Sequence, residues 1–404
     1  MTTDGEKVTL TAQCLCKAHT FSAEIAQPKL PLDGSICHCT SCRNLTGAMY
    51  SSDAHWPGPS DVIVNSDLKR YTFTSNCSIL FCGTCGSAMF WNEHYPDEPQ
   101  NFLVFTGILD NMELKGLVKF AQQIFVGDTI DGGVSPLLRD INHDGTKLRC
   151  WKGRAGKSEE LSDGWPGGEE TIAIGNAEKG DIPLHCHCKG VDLVFRPSNV
   201  DFSTMNTDSV PSYIDPKTHK HLATLDPCNS CRLSCGVDIM SWTFALLKQI
   251  DFPQNSGESS FPQSTNELKE AVENSAKDKR YGSLAMYRSS PDVQRYFCSQ
   301  CSAVVFYAVD DRPDLVDVAV GLLHAPDGAR AESVLSWNLG AKMMGVEDYV
   351  GGWREEFANA VKETSENWRI KNDYPKAWSR IKSEKAQKKA EDERLRLQLG
   401  ALSC

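Results

Sequence analysis

The chain has 404 residues, of which 40% are hydrophobic and 24% are charged, and this composition is typical of a folded globular protein. Its formal net charge of −11 argues against a nucleic-acid surface, because phosphate backbones are bound by clusters of Lys and Arg. The sequence has no run of about 18 apolar residues and no apolar N-terminal segment of secretory length. We therefore expect a cytoplasmic or nuclear protein without a nucleic-acid or membrane partner.

Seventeen cysteines occur mostly in short CxC and CxxC spacings, and these spacings recur in the same order in two parts of the chain. In a reducing compartment, such clusters indicate metal ligands, above all for zinc, rather than disulfides. The first set is Cys14 and Cys16, then Cys37, Cys39 and Cys42, then Cys82 and Cys85. The second set is Cys186 and Cys188, then Cys228 and Cys231, then Cys298 and Cys301.

Short runs of β-branched and aromatic residues lie beside these cysteines, separated by Gly, Asn, Asp and Pro. Such runs predict small antiparallel sheets. The predicted strands are 61–64, 70–74, 87–91, 102–106, 191–195, 283–287 and 303–309. A tetrahedral metal ion that ties two hairpins together would stabilise sheets of this size.

The cysteine repeat divides the chain into two predicted domains, which we name the first unit (residues 1–150) and the second unit (residues 181–350). The segment 151–180 is rich in Gly, Ser and Glu and is a predicted linker. The second unit has the longer spacing between its second and third cysteine groups. We assign the extra residues to the polar stretch 251–280, which we expect to be a mobile surface loop.

Residues 351–404 are a predicted helical extension. Trp353, Phe357, Val361 and Trp368 follow a helical spacing, which predicts a helix that packs on the preceding domain. The stretch 382–396 alternates basic and acidic residues, a pattern typical of a solvated helix face.

Three motifs resemble those of the glutathione-dependent formaldehyde-activating enzyme family, which also includes centromere protein V. They are CLC at 14–16, CHCTSCRNLTG at 37–47 and FCGTCGS at 81–87. The resemblance covers residues of about 10–135 well and 181–340 more loosely, so it implies a tandem duplication. It also implies a mainly β protein with two zinc-bound β-tent domains.

The resemblance implies two kinds of zinc site. A closed structural site would use four thiolates in each unit: Cys14, Cys16, Cys82 and Cys85 in the first, and Cys186, Cys188, Cys298 and Cys301 in the second. The catalytic site would use Cys37, Cys39 and Cys42 and leave one coordination position open. The activity implied is that of a carbon–sulfur lyase, in which glutathione is the co-substrate that adds to formaldehyde.

The second unit departs from the family pattern at the open site, because Asp226 stands where the first unit has Cys37. With Cys228 and Cys231, either Asp226 or the nearby Cys235 is a possible third ligand, and an empty site is equally compatible with the sequence. We expect lost or weakened open-site chemistry there, since a carboxylate is a harder ligand than a thiolate.

Two residues beside the open site are candidates for supporting roles. Arg43 has the chemistry to bind a glutathione carboxylate, and Gly47 would let a turn approach the metal closely. A surface arginine and an ordinary turn glycine are the alternatives. His38 and His187 lie between cysteines but are predicted not to be ligands, because side chains alternate along an extended chain.

The function predicted is therefore a zinc-dependent carbon–sulfur lyase that acts on a small thiol and an aldehyde, chiefly in the first unit. The alternative is a non-catalytic zinc-binding interaction protein of the centromere protein V type.

Overall fold

The computed structural model describes residues 6–96, 99–142, 144–166, 180–253 and 260–401. The structure is mainly β, as predicted. The strands of the first unit are β1 Lys7–Gln13, β2 Thr20–Ala26, β3 Leu32–Cys37, β4 Ser51–His55, β5 Lys69–Thr74, β6 Cys77–Phe81, β7 Ala88–Glu93, β8 Asn101–Phe105, β9 Val118–Ile124 and β10 Arg149–Cys150. Those of the second unit are β11 Ile182–His185, β12 Asp192–Phe195, β13 His221–Asp226, β14 Met240–Leu246, β15 Ile250–Asp251, β16 Leu284–Ser290, β17 Val293–Cys298, β18 Val304–Val309, β19 Leu315–Ala319 and β20 Leu335–Trp337.

The large sheets of the two units have matching strand orders. The first sheet runs β10-β9-β3-β4-β8-β7-β6-β5, and the second, read in the same direction, runs β20-β13-β14-β19-β18-β17-β16. In both, the second predicted cysteine group begins at the end of a strand, β3 or β13, that pairs in parallel with a late strand, β9 or β20. The hairpin β1-β2 and the small sheet β11-β12-β15 lie apart from the large sheets.

Alternating burial accounts for the first hairpin. Leu10 and Ala12 on β1 and Phe21, Ala23 and Ile25 on β2 are buried, whereas the residues between those on β2 are exposed. Because successive side chains of a strand point to opposite faces, this pattern turns one face of the hairpin to the core.

Six of the seven predicted strands are observed, as β5, β7, β8, β12, β16 and β18.

The seventh predicted strand, 61–64, is wrong, because these residues form a helix. The helices are α1 Thr40–Thr46, α2 Ser60–Val64, α3 Asn229–Cys235, α4 Thr265–Glu273, α5 Val346–Tyr349, α6 Arg354–Lys371 and α7 Trp378–Ala401. Pro59 precedes α2, where its ring restricts the backbone and its missing N–H costs nothing. Ile63 is buried while Val62 and Val64 are exposed. Burial of Ile63 is therefore enough to hold this short helix against the core, although its residues 62–64 are all β-branched.

The prediction of a mobile loop at 251–280 is wrong for its second half. Helix α4 starts with a capping box formed by Ser264 and Glu267 and buries Leu268, and Phe261 just before it is also buried. Because the stretch is polar on average, its composition does not indicate that Leu268 and Phe261 are buried. Residues 254–259 lie outside the described residues.

The C-terminal helices agree with the sequence prediction. Helix α6 buries Phe357 and Val361, and Trp353 just before it is also buried, so the helix packs on the core as expected. Residues 382–394 of α7 are exposed along their whole length, which confirms the solvated charged face. No helix in the described part of the chain is both long and apolar enough to cross a membrane.

Part of the predicted linker is folded. Trp151 and Leu161 are buried, and Leu161 packs with Val126 and Cys150 of the first unit. Residues 151–166 thus extend the first unit, while residues 167–179 lie outside the described residues.

The two units share one continuous core and meet through reciprocal backbone contacts. The N–H of Gly321 donates to the carbonyl of Gly47 at 2.9 Å, and the N–H of Gly107 donates to the carbonyl of Gly236, also at 2.9 Å. Gly47 and Gly236 end α1 and α3, with φ values of 77° and 80°. Each short helix therefore lies against a turn of the other unit.

A buried ion pair ties the extension to both units. Arg354 at the start of α6 donates to Asp238 of the second unit at 2.8 Å, and both side chains are almost fully buried. Asp238 also accepts a hydrogen bond from Thr106 of the first unit. Burial of both charges is tolerated because each is hydrogen-bonded to the other and to polar neighbours.

Candidate metal centres and reaction site

Four sulfurs meet in each unit at the positions predicted for a closed site. The turn after β1 holds Cys14 and Cys16, and the turn after β6 holds Cys82 and Cys85. We name these four the first closed cluster. The Cys14 and Cys16 sulfurs are 3.6 Å apart, and those of Cys16 and Cys82 are 3.5 Å apart. Tetrahedral zinc with Zn–S bonds of about 2.3 Å would place its sulfurs about 3.8 Å apart, so the donor set fits this metal.

The second closed cluster repeats this arrangement with Cys186, Cys188, Cys298 and Cys301. Cys188 lies 3.5 Å from both Cys186 and Cys298, measured between the sulfurs. A disulfide would bring two sulfurs to about 2.05 Å, so these contacts are not disulfides. The backbone N–H of Cys301 donates to the Cys298 sulfur at 3.3 Å, a contact that stabilises a thiolate.

The third group, which we name the open cluster, consists of Cys37, Cys39 and Cys42, whose sulfurs lie within 4.8 Å of one another. Cys37 ends β3, Cys39 caps the N-terminus of α1, and Cys42 lies in the first turn of that helix. The N–H of Cys42 donates to the Cys39 sulfur at 3.3 Å. Hydrogen bonds with Cys37 and Cys42 lower the pKa of Cys39 to about 3, which favours a thiolate at this position. Three sulfur donors fit zinc with one position left for another ligand.

The sheet face that carries Cys37 is lined by aromatic side chains. Strand pairing places Asp53 and Phe105 on this face, because opposed residues of antiparallel strands point to the same side. The Trp91 ring stacks on Phe105 with centroids 5.2 Å apart, and Phe73 meets Trp91 edge-on at 5.0 Å. The sheet face that carries Cys37 is therefore aromatic, with Phe105 and Trp91 buried and Phe73 half-buried.

Asp53 is an acidic side chain on this face, opposite Ser35 and therefore two residues along β3 from Cys37. Burial, with a smaller contribution from Glu93, raises the pKa of Asp53 to about 7. About half of this carboxyl is therefore protonated at neutral pH, so it can donate or accept a proton there. The sequence offered no signal for it, since a single Asp in a strand is common.

The second unit contributes His187 to the edge of this face. Its backbone N–H donates to the carbonyl of Asn44 in α1 at 3.0 Å. Its ring stacks on Phe73 with centroids 4.6 Å apart, and its Nδ1 lies 2.7 Å from the hydroxyl of Tyr71. Burial lowers the pKa of His187, and the nearby Cys39 opposes that shift. His187 is not among the clustered ligands, but it contacts α1 of the other unit and lies near Cys39.

The closed clusters are also contacted across the two units. Tyr71 of the first unit lies near the second closed cluster, where burial and then Cys301 raise its pKa. Tyr287 of the second unit lies near the first closed cluster, where burial and then Cys16 raise its pKa. Both tyrosines lie on the strand that precedes the CxxC strand of their own unit, β5 and β16.

Arg43 lies on α1 beside the open cluster but points into the protein. It is 5% exposed, and it donates to the carbonyls of His38 and Asp128 at 3.2 and 3.3 Å. These bonds hold the loop that carries Cys37 and Cys39. Its role as a carboxylate ligand stays a prediction. His38 is fully buried, and its Nε2 lies 2.7 Å from the Gln123 side-chain oxygen.

Gly47 has the left-handed backbone expected of a turn glycine, and its close approach is to the second unit. A Cβ atom on Gly47 would lie 2.2 Å from the carbonyl oxygen of Val304. The residue is therefore required for packing between the units. Its predicted role near a bound substrate stays a prediction.

The mixed cluster of the second unit consists of Asp226, Cys228 and Cys231, whose ligand atoms lie within 4.8 Å of one another. Asp226 accepts a hydrogen bond from the N–H of Cys228 at 2.9 Å and lies 3.3 Å from the Cys231 sulfur. Of the two alternatives for a third ligand, the structure brings Asp226 to the cysteines. The Cys235 sulfur instead contacts the carbonyls of Arg232 and Val237.

Comparison with known proteins agrees with the geometry of the first unit. Residues 9–128 match the family model described as glutathione-dependent formaldehyde-activating enzyme. Over these residues the first unit is similar to this family. A protein of Schizosaccharomyces pombe described as an uncharacterized lyase is 29% identical over 120 residues, which make up 29% of this chain and 79% of that protein. No solved structure matches the chain.

The part that matches the glutathione-dependent formaldehyde-activating enzyme family contains the first closed cluster and the open cluster completely. The match ends before the second unit. The similarity of the second unit to the first therefore depends only on its cysteine order and its strand order.

Proposed function

We propose that the first unit is a zinc-dependent carbon–sulfur lyase that joins glutathione to formaldehyde and can run the step in either direction. The family match and the similarity to a protein described as a lyase support this activity. The observation that carries the proposal is the open cluster of three sulfurs, whose Cys37 lies on a sheet face that holds aromatic side chains. Zinc held by Cys37, Cys39 and Cys42 would supply a Lewis acid and a site for a thiolate.

Asp53 has the position and protonation state to assist the addition. The sulfur of the thiol forms a bond to the carbonyl carbon while the carbonyl π pair moves to oxygen. The carboxyl of Asp53 gives its proton to that oxygen, and the proton lost by the thiol restores the carboxyl. A pKa of about 7 suits this exchange near neutral pH.

The aromatic face supports the same reaction by excluding water. Phe105 is fully buried and Trp91 is 6% exposed, so these two rings form a dry apolar layer. A small thiol or aldehyde would contact the half-buried Phe73 and Tyr71 at the edge of this layer. Interactions with charge are stronger in such surroundings than in water. The side chains of Tyr71 and His187 form the edge of this surface.

We also propose that the chain is a tandem duplication with β-tent domains at residues 1–150 and 181–350. The matching strand orders and the two closed clusters support this division. Seven family cysteines remain in the first unit, whereas Asp226 replaces one of them in the second. The reaction is therefore assigned chiefly to the first unit.

A second candidate function has its own support. Residues 382–394 of α7 form an exposed, highly charged helix that extends beyond the packed core. Such a surface is suitable for binding a protein partner. The second candidate is therefore a non-catalytic interaction protein of the centromere protein V type.

Turnover of Cys39→Ser separates the two candidates. Formaldehyde consumption with glutathione is compared with the rate without protein, and bound zinc is measured on the same samples. We expect the wild type to exceed the uncatalysed rate and Cys39→Ser to fall to it, with about one zinc ion lost per chain and an unchanged melting temperature. A wild type that does not exceed the uncatalysed rate would favour the interaction protein.

A further inference from the structure

A cavity of about 560 Å³ lies on the face of the second unit that carries the mixed cluster. Its walls include the aromatic side chains of Trp242, Phe244 and Tyr307 and the guanidinium of Arg295. Ligand sites in proteins typically have volumes of about 300–1,000 Å³, with apolar walls and a few convergent polar groups. The cavity has both properties.

Arg295 is the unusual group of this cavity. It is 7% exposed. Its Nε donates to the Ser289 hydroxyl at 3.1 Å, its Nη1 lies 3.8 Å from the Cys231 sulfur, and its guanidinium lies 4.9 Å above the Tyr307 ring. Among the described residues it forms no salt bridge with a carboxylate, and its Nη2 has no acceptor. Because a guanidinium stays charged, its burial is costly, and the contact with the Cys231 sulfur satisfies only part of its hydrogen-bonding capacity.

Most other charged groups that line the cavity have partners, and Lys342 and Glu347, which also line it, are exposed. Arg312 donates to Asp317 at 2.8 Å. Asp226 and Asp348 both accept hydrogen bonds from backbone N–H groups at the start of α3, those of Cys228 and Asn229. Arg295 is thus the buried cation of this cavity that has no carboxylate partner among the described residues.

The first unit shows that the fold does not need this arginine. Arg295 lies three residues before the CxxC pair that starts at Cys298, and Ile79 lies three residues before the pair that starts at Cys82. Both residues lie on matching strands, β17 and β6, and Ile79 is fully buried. An aliphatic side chain is therefore sufficient for packing at this position.

We infer that the cavity binds a small organic carboxylate, which Arg295 anchors and the aromatic walls enclose. A planar guanidinium and a carboxylate form paired charge-assisted hydrogen bonds. The Trp242 and Tyr307 rings, with centroids 6.4 Å apart, provide apolar contacts for the body of the ligand. The inference does not depend on the proposed reaction, which belongs to the first unit.

Benzoate is a suitable probe, because it joins a carboxylate to a flat apolar ring. Its binding to the full-length protein is measured by calorimetry and by the shift in melting temperature. We expect the wild type to bind benzoate and Arg295→Ile, which restores the first-unit residue, to bind it about tenfold more weakly or worse. Arg295→Lys keeps the charge and should retain part of the affinity.

Arg288→Ile is the matched control, since Arg288 on the neighbouring strand is exposed and paired with Glu273. Its affinity for benzoate should equal that of the wild type. The inference is overturned if the wild type does not bind benzoate, or if Arg295→Ile binds it with unchanged affinity.

Discussion

The backbone N–H of Gly321 donates to the carbonyl of Gly47 across the boundary between the two units, at 2.9 Å. The matching contact, from Gly107 to Gly236, has the same length. Each donor lies in a turn after a strand of the large sheet, and each acceptor ends the helix that carries a cysteine cluster. The position of each cluster therefore depends on the other unit.

Gly321→Ala tests this contact. A Cβ atom at Gly321 would lie 2.0 Å from the carbonyl oxygen of Ala48, and a backbone atom cannot move aside as a flexible side chain would. We expect the free energy of unfolding to fall by about 3 kcal/mol, measured by denaturant titration. Gly164→Ala is the control, since nothing lies within 4 Å of that position. An equal stability for both variants would contradict the close packing of the units.

Cys82→Ser and Cys298→Ser test the closed clusters. Each change removes one of four sulfurs that hold two turns together, so we expect the loss of about one zinc ion per chain and a lower melting temperature. Metal content and thermal unfolding are measured on the same preparation. Cys77→Ser is the control, because Cys77 belongs to none of the clusters. If Cys39→Ser destabilises the fold as strongly as Cys82→Ser, the roles assigned to the two kinds of site are wrong.

His187→Ala tests the contribution of the second unit to the first site. The change removes the stacking on Phe73 and the contact with Tyr71, so we expect a higher KM for glutathione and an unchanged zinc content. Leu15→Ala is the matched control, because Leu15 holds the same place between the cysteines of the first CxC pair. An unchanged KM in His187→Ala would show that this edge does not contact the thiol.

Asp53→Asn tests the proposed proton donor through pH dependence. Turnover of the wild type should fall as pH rises through about 7, since Asp53 then loses its proton, and the variant should lose most of its turnover. The raised pKa also affects stability. The protonated carboxyl stabilises the fold fully below pH about 4, and this contribution is lost as pH rises through about 7.

Asp53→Asn should therefore gain stability relative to the wild type between pH 5 and pH 8, measured by urea titration at both values. Asp33→Asn is the control, because Asp33 is exposed on β3. An equal pH dependence of stability in Asp53→Asn and the wild type would show that the carboxyl titrates normally.

Asp238→Asn tests the buried ion pair. The change leaves the guanidinium of Arg354 without its charged partner, and we expect a loss of about 3–5 kcal/mol in the free energy of unfolding. Lys7→Gln, which breaks an exposed ion pair with Glu24, should change it by less than about 1 kcal/mol. A small effect of Asp238→Asn would mean that the extension is held by its apolar contacts instead.

Local sequence patterns were sufficient for much of the fold. Six strands follow from β-branched and aromatic runs, and α6 follows from the spacing of Phe357 and Val361. The two failures have a common cause. At 61–64 and at 251–280, one or two buried side chains decided the conformation, and local composition does not show which side chains become buried.

The cysteine spacings likewise predicted which residues meet, because a ligand pair two or three residues apart is close in any compact turn. The surroundings of the clusters follow from contacts between distant parts of the chain. Strand pairing puts Asp53 on the same sheet face as Cys37. Packing of the second unit on the first brings His187 near Cys39, and the second sheet places Arg295 against Cys231. Such contacts depend on strand register and on the docking of whole elements, so only the tertiary structure places a carboxyl, a histidine and a buried arginine around the predicted ligands.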